Sequence, residues 1–328
     1  MSIKSRVVCI NQFGSPAELK IEEKEIDGPG PGEILVRHTV TGLNFIDIYQ
    51  RKGLLKLVTG EPPLSLGMEA AGIVEAVGQG VNYVKLGDRV SHCMNRGSYS
   101  DYMVLSEGRV VKLPEEISDE VAAASTLQGL TAQYLIHSSW DLKPGQSVLV
   151  QAAAGGVGLF LCQWAKHIGA KVFGTVSSEA KATLASQNGC DHPIIYTEED
   201  FESKIKDITK GHGVDLVLDA VGKDTVEKGL ACLSERGRLV SYGMSSGPMD
   251  PVNVNSLRSR SASVAAAGLL TYTKDPQELR SRAESLFSML ARGSIKSHIK
   301  QVMPIEDIAK GHEDLEARKT VGSTIFTL

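Results

Sequence analysis

The sequence predicts a mixed α/β protein in which a compact β domain is interrupted by a parallel, doubly wound α/β domain. Short β-like segments separated by Gly and Pro fill residues 1–125, strands alternate with helices over 126–268, and an isolated apolar strand ends the chain at 322–328. The 328 residues are about twice the usual domain size, which favours two domains. We therefore expect one domain from residues 1–125 and 269–328 and a second from 126–268.

The first segment reads as a barrel or sandwich of short strands. These strands are predicted at Arg6–Ile10, Glu33–Arg37, Gly72–Val77, Asp88–Ser91, Asp101–Leu105 and Val110–Leu113. Regular spacing with Gly and Pro turns is typical of compact β domains. The terminal strand Gly322–Leu328 is too isolated to form a domain of its own, so we assign it to this one.

The second segment alternates between the two kinds of element. Strands are predicted at 146–151, 171–176, 214–219, 237–243 and 261–268, and helices at 159–168, 179–188, 199–210 and 223–234. Such alternation favours a parallel sheet with helices on both faces. Beyond it, Gln277–Arg292 has the apolar spacing of an amphipathic helix.

Composition and charge exclude several classes of protein. Hydrophobic residues make up 42% and charged residues 23%, which excludes a disordered, collagenous or coiled-coil chain. A net charge of -4 provides no basic surface for nucleic acid or a membrane. No apolar run approaches the ~18 residues of a membrane helix. The N-terminus does not read as a signal peptide, so we expect a cytoplasmic protein.

The cysteines are scattered and form no CxxC pair, which predicts free buried thiols rather than a disulfide framework or a zinc knuckle. They are Cys9, Cys93, Cys162, Cys190 and Cys232.

A glycine-rich turn, Ala152–Gly158, lies between a predicted strand and a predicted helix. In the dinucleotide fingerprint, glycines permit a tight turn, close approach to pyrophosphate and close helix packing. Gly155 and Gly158 fill two of the three positions, and Ala153 replaces the first. With Gly156 between them and the helix beginning at Val157, the first turn offers free N–H groups to phosphate.

The end of the next strand indicates which nucleotide binds. An acidic residue normally accepts hydrogen bonds from the adenosine ribose there, but this strand is followed by Ser177 and Ser178, with Lys181 one turn later. Loss of the acid removes repulsion of a 2′-phosphate, and these side chains supply donors for it, which favours NADPH. In the alternative interpretation, Glu179 serves as the missing acid and Lys181 is an ordinary solvated residue.

Several motifs together resemble the zinc-independent quinone oxidoreductases, the zeta-crystallin-like branch of the medium-chain dehydrogenase/reductases. They are Gly42–Gly53, Gly67–Gly72, Gly87–Val90, Leu127–Ala132, Ala152–Gly158 and Arg318–Ser323. The similarity covers essentially the whole chain. It implies a GroES-like barrel domain interrupted by a Rossmann domain, with the active site in the cleft between them.

The resemblance also bears on metal. Zinc-dependent relatives read Gly-His-Glu where this chain has Gly67-Met68-Glu69, and the three or four ligands that zinc requires are missing. His92 and Cys93 are adjacent on a predicted strand and therefore point to opposite faces. We expect no metal, and we expect Met68 and Glu69 to pack beneath the cleft. Without a Lewis acid, the acceptor itself must delocalise charge, as quinones and α,β-unsaturated carbonyls do.

The resemblance places Asn44 and Tyr49 near the nicotinamide and the substrate, as the catalytic candidates. In the alternative interpretation Asn44 caps a short helix and Tyr49 is a half-buried core ring. Asp47, between them, is expected to be a structural hydrogen-bonding residue. Further cofactor contacts carried over from the family fall on Thr131, Tyr196, Tyr242, Gly243 and Arg318. Tyr196 could equally be a surface residue.

The resemblance implies an NADPH:quinone oxidoreductase that transfers reducing equivalents without a metal. An NADPH-dependent 2-alkenal or enone reductase is the enzymatic alternative, although enoyl reductases of the superfamily carry a tyrosine near Leu54 and Leu55, where this chain has none. A non-catalytic NADPH-binding protein is an alternative of another class. A homodimer is expected, because residues 261–268 form a weakly charged edge strand that pairs with its mate in the family.

Overall fold

The computed structural model describes residues 2–328. Its strands are β1 (Ile3–Ile10), β2 (Lys20–Ile26), β3 (Glu33–Gly42), β4 (Leu64–Ser65), β5 (Glu69–Val77), β6 (Arg89–Cys93), β7 (Tyr102–Ser106), β8 (Val111–Lys112), β9 (Ser147–Val150), β10 (Lys171–Val176), β11 (His192–Ile195), β12 (Val214–Asp219), β13 (Leu233–Ser241), β14 (Ser263–Ala266), β15 (Ile299–Pro304) and β16 (Ser323–Thr327). Its α-helices are α1 (Phe45–Arg51), α2 (Lys56–Thr59), α3 (Asp119–Ala123), α4 (Thr126–Tyr134), α5 (Gly156–Ile168), α6 (Glu179–Gln187), α7 (Phe201–Thr209), α8 (Val226–Ala231), α9 (Leu269–Thr273), α10 (Pro276–Ala291) and α11 (Ile308–Glu316).

These elements form two compact units. The second unit contains Thr131–Leu269 and Ser294–Lys296, and the first contains the chain up to Leu130 together with Leu270–Gly293 and Ser297–Leu328. The sequence placed the start of the second domain at residue 126, which falls at the beginning of α4, and this helix supplies residues to both units.

The second unit contains a six-stranded sheet in the order β11-β10-β9-β12-β13-β14, and every neighbouring pair is parallel. Counted along the chain from β9, this is the 3-2-1-4-5-6 order of doubly wound dinucleotide-binding folds. The predicted parallel, doubly wound sheet is confirmed. Its central strands are continuous apolar runs, such as the buried Val148-Leu149-Val150, because helices cover both faces.

Packing in the second unit joins these strands to the helices beside them. Leu149, Phe173 and Val217 from the sheet form one buried cluster with Phe201 and Ile205 from α7. Helix α5 ends where Gly169 adopts a φ of 93°, a left-handed conformation that glycine reaches without strain. The chain can therefore turn directly from α5 into β10, which pairs parallel with β9, the strand that precedes the glycine-rich turn.

The first unit is built mainly from antiparallel strands. One sheet has the order β15-β16-β3-β5-β6-β8, with β7 also pairing with β3, and a smaller sheet has the order β2-β1-β4. The terminal strand β16 pairs antiparallel with β3, from Ile325 opposite Gly42 to Thr327 opposite Val40. This confirms that the end of the chain returns to the first domain.

Two further expectations concern the whole chain. The five cysteines are buried and form no disulfide, as predicted. None of the helices within residues 2–328 has both the length and the apolar character that crossing a bilayer requires.

Candidate functional site

The turn between β9 and α5 is held by backbone hydrogen bonds within the turn and to β10. Ala152 adopts a φ of 56°, in the left-handed region that favours glycine. Ala153, which the sequence places at the first glycine position of the fingerprint, is the next residue. The N–H of Ala153 donates to the carbonyl of Thr175, at 3.0 Å, and its buried side chain packs under Gly174. Ala153 therefore joins the turn to β10.

At two positions of the turn the backbone passes so close to the residue that a side chain would be crowded, and both positions are glycine. A Cβ on Gly158 would lie 2.3 Å from the carbonyl oxygen of Ala152, and one on Gly155 would lie 3.3 Å from the same atom. Helix α5 begins at Gly156, one residue before the start expected at Val157 and three residues before the apolar segment predicted from residue 159. The first-turn amides of Gly156, Val157 and Gly158 have no acceptor within the helix. This helix end can therefore bind an anionic group.

Hydroxyl groups follow β10, as the sequence predicted. The Oγ of Ser178 accepts the backbone N–H of Lys181 at 3.4 Å and so caps α6, which leaves its O–H as a donor. Ser177, Ser178 and Lys181 are half-buried, and Glu179 is exposed. An anion placed here would meet hydroxyl and amine donors.

Other predicted residues of the second unit lie at the same edge of its sheet. Tyr196 follows β11 and is 40% exposed, while Tyr242 and Gly243 follow β13. The carboxyl ends of parallel strands share one edge, where ligands bind in such folds, so these residues lie on the side of the glycine-rich turn. Thr131 is buried on α4, away from these strand ends in sequence.

The end of β12 carries a residue that sequence reasoning missed. The buried carboxylate of Asp219 accepts the N–H groups of Val221 and Gly222, at 2.9 and 2.7 Å, and the hydroxyl of Thr225 at 2.6 Å. Burial raises the pKa of this carboxyl group, and the three hydrogen bonds oppose the rise. Asp219 therefore shapes the turn after β12. An acidic residue that ends an apolar strand was the available signal.

In the first unit, α1 carries Asn44 at its N-cap and Tyr49 within the helix. Asn44 is buried at the helix N-cap, and its backbone N–H donates to the carboxylate of Asp47 at 2.8 Å. Asp47 also accepts the hydroxyl of Tyr99 at 2.7 Å, which confirms its structural hydrogen-bonding role. Tyr49 is half-buried, with its ring centroid 6.1 Å from that of Phe45.

Arg318, the other predicted residue of this unit, follows α11. It is exposed and has a φ of 57°.

The side chain of Asn44 belongs to a buried polar network. Its Nδ2 donates to Oε2 of Glu69 at 2.8 Å, and its Oδ1 accepts from Nε2 of Gln128 at 3.3 Å. Gln128 in turn accepts the hydroxyl of Ser323 at 2.7 Å. Sequence reasoning expected Glu69 to be a packing residue and did not single out Gln128. No periodicity predicts this network, because its members come from four distant segments.

Burial dominates the electrostatics of this network. It raises the pKa of the Glu69 carboxyl group to about 8, against the hydrogen bonds from Leu127 and Asn44. It also raises the pKa of Asp47 to about 7, against the bonds from Tyr99 and Asn44. A charged group near Asn44 therefore interacts with an environment that screens weakly.

The residues present do not fit a zinc ion. The sulfur of buried Met68 accepts from Nε2 of Gln50 at 3.1 Å. The Nε2 of His92 lies 2.9 Å from that of His38, so this ring is engaged by another imidazole. Within residues 2–328, no group of three or more His, Cys, Asp or Glu side chains could hold a metal ion.

Two family models match the chain. An alcohol dehydrogenase GroES-like domain matches residues 30–115, and a zinc-binding dehydrogenase domain matches residues 156–288. The first match falls within the first unit and agrees with its expected GroES-like fold. The second begins at the first residue of α5 and includes most of the parallel sheet.

Full-length relatives extend these matches. A quinone oxidoreductase of Pseudomonas aeruginosa is 43% identical, over 96% of this chain and 97% of its own. A 2-haloacrylate reductase of a Burkholderia species is 40% identical, over 97% of each chain. The crystal structure of Escherichia coli quinone oxidoreductase complexed with NADPH matches with a TM-score of 0.95 and 41% identity, covering 99% of this chain and 100% of that one. The chain therefore belongs to the quinone oxidoreductase family of the medium-chain dehydrogenases/reductases.

Proposed function

We propose that this protein is an NADPH-dependent quinone oxidoreductase. The observation that carries the proposal is the glycine-rich turn at the start of α5, which faces a strand end without a carboxylate. The first-turn amides of Gly156, Val157 and Gly158 suit a pyrophosphate. Ser177, Ser178 and Lys181 suit a 2′-phosphate, because they offer donors where a carboxylate would repel it.

The other cofactor contacts of this proposal are those that the resemblance assigns. Tyr196 borders the adenosine, Thr131, Tyr242 and Gly243 contact the remainder of the nucleotide, and Arg318 completes the set. When bound, NADPH supplies a hydride equivalent. The chain's own residues then have to orient nicotinamide and acceptor and keep water away from them.

The acceptor is proposed to be a quinone because its oxygen and ring accommodate the arriving negative charge. A hydrogen-bond donor at that oxygen lowers the barrier further. Asn44 and Tyr49 are the proposed donors, and the 6% exposure of Asn44 puts its amide in surroundings where such a bond is strong. No metal is assigned a part. Stoichiometric zinc in the purified protein, with activity lost to a chelator, would contradict this.

A second candidate activity is reduction of α,β-unsaturated carbonyl compounds. The similarity to a 2-haloacrylate reductase favours it, because that substrate has a double bond conjugated to a carboxylate. An enone and a quinone make similar demands on the site. Both need hydride delivery to carbon and a donor near oxygen.

An acceptor panel tests these activities. NADPH absorbance would be followed with benzoquinones, naphthoquinones, 2-alkenals and 2-haloacrylates, with Gly158→Ala as a variant whose nucleotide turn is blocked. We expect the highest kcat/KM with a quinone. A higher value with 2-alkenals or 2-haloacrylates would make the chain an enone reductase. Tight NADPH binding without turnover on any acceptor would instead indicate a non-catalytic nucleotide-binding protein.

We further propose a cytoplasmic homodimer. The supporting feature is β14, which lies at the edge of the six-stranded sheet and carries no charged side chain. An edge strand of this kind has unpaired backbone groups that a second copy can satisfy. The net charge of -4 gives no reason to propose a nucleic-acid partner.

A further inference from the structure

Glu69 is a fully buried carboxylate beside Asn44. Its Oε1 accepts the backbone N–H of Leu127 at 2.6 Å, and its Oε2 accepts Nδ2 of Asn44 at 2.8 Å. No cation pairs with it in the part of the chain that the structure describes. Above a pH of about 8 this group is ionised, so both of its oxygens act as acceptors, and each has a defined donor.

The space for this carboxylate depends on a glycine. A Cβ on Gly42 would lie 2.7 Å from Oε2 of Glu69 and 2.2 Å from the carbonyl oxygen of Ala123. The backbone of Glu69 is also fixed, because its N–H donates to Ser98 at 2.8 Å and its carbonyl accepts the hydroxyl of Thr41 at 2.6 Å. The carboxylate has little freedom to move away from Asn44.

Counting donors and acceptors fixes the orientation of the Asn44 amide. One Nδ2 hydrogen donates to Glu69, and Oδ1 accepts from Gln128 at 3.3 Å. A flipped amide would place Oδ1 against a carboxylate oxygen and Nδ2 against the donor of Gln128, and both contacts would be repulsive. What remains on Nδ2 is one N–H, which is a donor.

We infer that Glu69 is a positioning residue that holds Asn44 as a hydrogen-bond donor toward a carbonyl oxygen of the ligand. The inference rests on the proposed function, in which Asn44 contacts the cofactor or the acceptor. Two ligand oxygens have this chemistry, the carboxamide oxygen of the nicotinamide and the carbonyl oxygen of the acceptor. In either case, Glu69 acts through Asn44 without touching the ligand.

Glu69→Gln tests this inference because the substitution preserves size and reverses one hydrogen-bonding group. The N–H of Leu127 cannot turn, so the new amide oxygen must face it and the new amide nitrogen must face Asn44. Asn44 then satisfies this nitrogen by flipping, and the Gln128 amide turns with it, because Ser323 can accept from Gln128 while its hydroxyl donates to the carbonyl of Ala124 at 3.1 Å. The flip turns a lone pair toward the ligand where wild type has an N–H.

The experiment is a double-mutant cycle with Glu69→Gln, Asn44→Ala and the combined variant. The dissociation constant of NADPH would be measured by nucleotide fluorescence, and the KM of a benzoquinone by turnover, both above a pH of about 8, where Glu69 is ionised. The control is Glu75→Gln, the same change on the exposed part of β5, where Glu75 pairs with Arg37 at 2.7 Å. We expect Glu69→Gln to raise either the dissociation constant of NADPH or the KM of the quinone by about tenfold or more. Weaker NADPH binding identifies the carboxamide, and a raised KM for the quinone identifies the acceptor.

Non-additivity decides between positioning and general support of the fold. If Glu69 acts through Asn44, the combined variant matches Asn44→Ala alone. The inference would be overturned if the fold-changes of the two single variants multiply in the combined variant. It would also be overturned if Glu69→Gln keeps both constants at the wild-type values. If the wild type does not bind NADPH, the proposed function fails and the inference fails with it, whereas wild-type binding with an additive cycle overturns the inference alone.

A measurement on the wild type covers the case in which Glu69→Gln does not fold. The side-chain amide of Asn44 would be assigned by NMR from its loss in Asn44→Ala. We expect one proton to be protected from exchange by Glu69 and the other to shift on addition of NADPH or quinone. Two rapidly exchanging protons that neither ligand shifts would overturn the inference.

Discussion

His38 and His92 face each other inside the first unit, with 2.9 Å between their Nε2 atoms. The Nδ1 of His38 lies 2.8 Å from the carbonyl of Ser100 and must donate to it, which makes Nε2 of His38 the acceptor. His92 therefore donates from Nε2, and its Nδ1 faces the amide of Asn95 at 3.4 Å. Both rings are neutral in this arrangement. Burial agrees, because it lowers the pKa of His38 to about 4 and that of His92 well below its usual value.

The pair predicts acid sensitivity, and His92→Gln measures it. Because the folded-state pKa of His92 lies below its unfolded value, the folded protein binds fewer protons than the unfolded chain once the pH falls below about 6.5. Stability is therefore lost as the pH falls, by about 1.4 kcal/mol per pH unit for one such group. Gln keeps a donor for His38 but does not titrate. In urea unfolding, the variant should lose less free energy than wild type between pH 7 and 5.

Only the difference between wild type and variant is informative. Asp47 and Glu69 have raised pKa values, so the folded protein binds more protons at these groups and gains stability from them as the pH falls. This gain is common to wild type and variant, so it cancels in the difference between them. His167→Gln, at an exposed position of α5, serves as the control and should follow the wild-type curve. Parallel curves for wild type and His92→Gln would contradict the assigned neutral pair.

Gly158→Ala should damage the nucleotide turn. The added methyl group would lie 2.3 Å from the carbonyl oxygen of Ala152 and 2.9 Å from the Ala153 backbone, so α5 or the turn has to shift. We expect NADPH affinity to fall by about tenfold or more, since phosphate contacts depend on the position of the first-turn amides. Gly268→Ala is the control, because nothing lies within 4 Å of its added Cβ and its φ is not positive. Fluorescence titration of both variants would check this, and equal affinities would contradict it.

Edge elements and short helices show where prediction of the fold from sequence stopped. The strand β2 reads Lys-Ile-Glu-Glu-Lys-Glu-Ile, a charged segment without a buried face, and only its register with β1, from Ile26 opposite Ile3 to Lys20 opposite Cys9, makes it a strand. Helix α1 has only 7 residues, too few for apolar spacing to show a helical period. The buried strands of the parallel sheet were predictable because their apolar runs alternate with helices.

The residues of the site that form a local sequence pattern were predictable, and those joined by contacts between distant segments were not. The turn Ala152–Gly158 and the hydroxyls after β10 are local, so their spacing carries the information. The contacts of Asn44 with Glu69 and Gln128 join residues distant in sequence, and no local pattern encodes them. The left-handed backbone at Ala152 was missed because alanine rarely adopts it.

Lys181→Ala should separate the two nicotinamide nucleotides. A half-buried lysine beside a 2′-phosphate contributes a charge-assisted hydrogen bond of roughly 1 to 2 kcal/mol after solvent screening, a factor of roughly 5 to 30. The KM for NADPH should rise by that factor, and the KM for NADH should hardly change. Turnover at saturating NADPH should also be retained.

The control for this change is Lys204→Ala, at an exposed position of α7 where the lysine pairs with Glu199 at 2.8 Å. Its kinetic constants should match those of wild type. Equal damage to both nucleotides in Lys181→Ala would show that the lysine supports the fold. A wild-type preference for NADH would point to Glu179 as a ribose-binding acid.

The geometry of β14 selects the substitution that tests the proposed dimer. The N–H of Ala267 donates to the carbonyl of Ser241 at 2.9 Å, and Ala265 pairs with Val240 of β13. Because backbone groups alternate along a strand, Ala265 also points its N–H toward β13, and exposed Ala266 points its N–H outward. Proline at position 266 therefore removes a donor from the free edge alone.

Light scattering should show wild type at twice the 35.2 kDa mass of one chain. Ala266→Pro should shift this equilibrium toward the monomer while its thermal unfolding stays close to that of the dissociated wild type. Ala265→Pro is the matched control, since it removes a hydrogen bond within the sheet and should lower the free energy of unfolding by about 1 to 3 kcal/mol. A wild-type protein that remains a single chain at micromolar concentration, or an Ala266→Pro dimer as stable as wild type, would mean that this edge is not the interface.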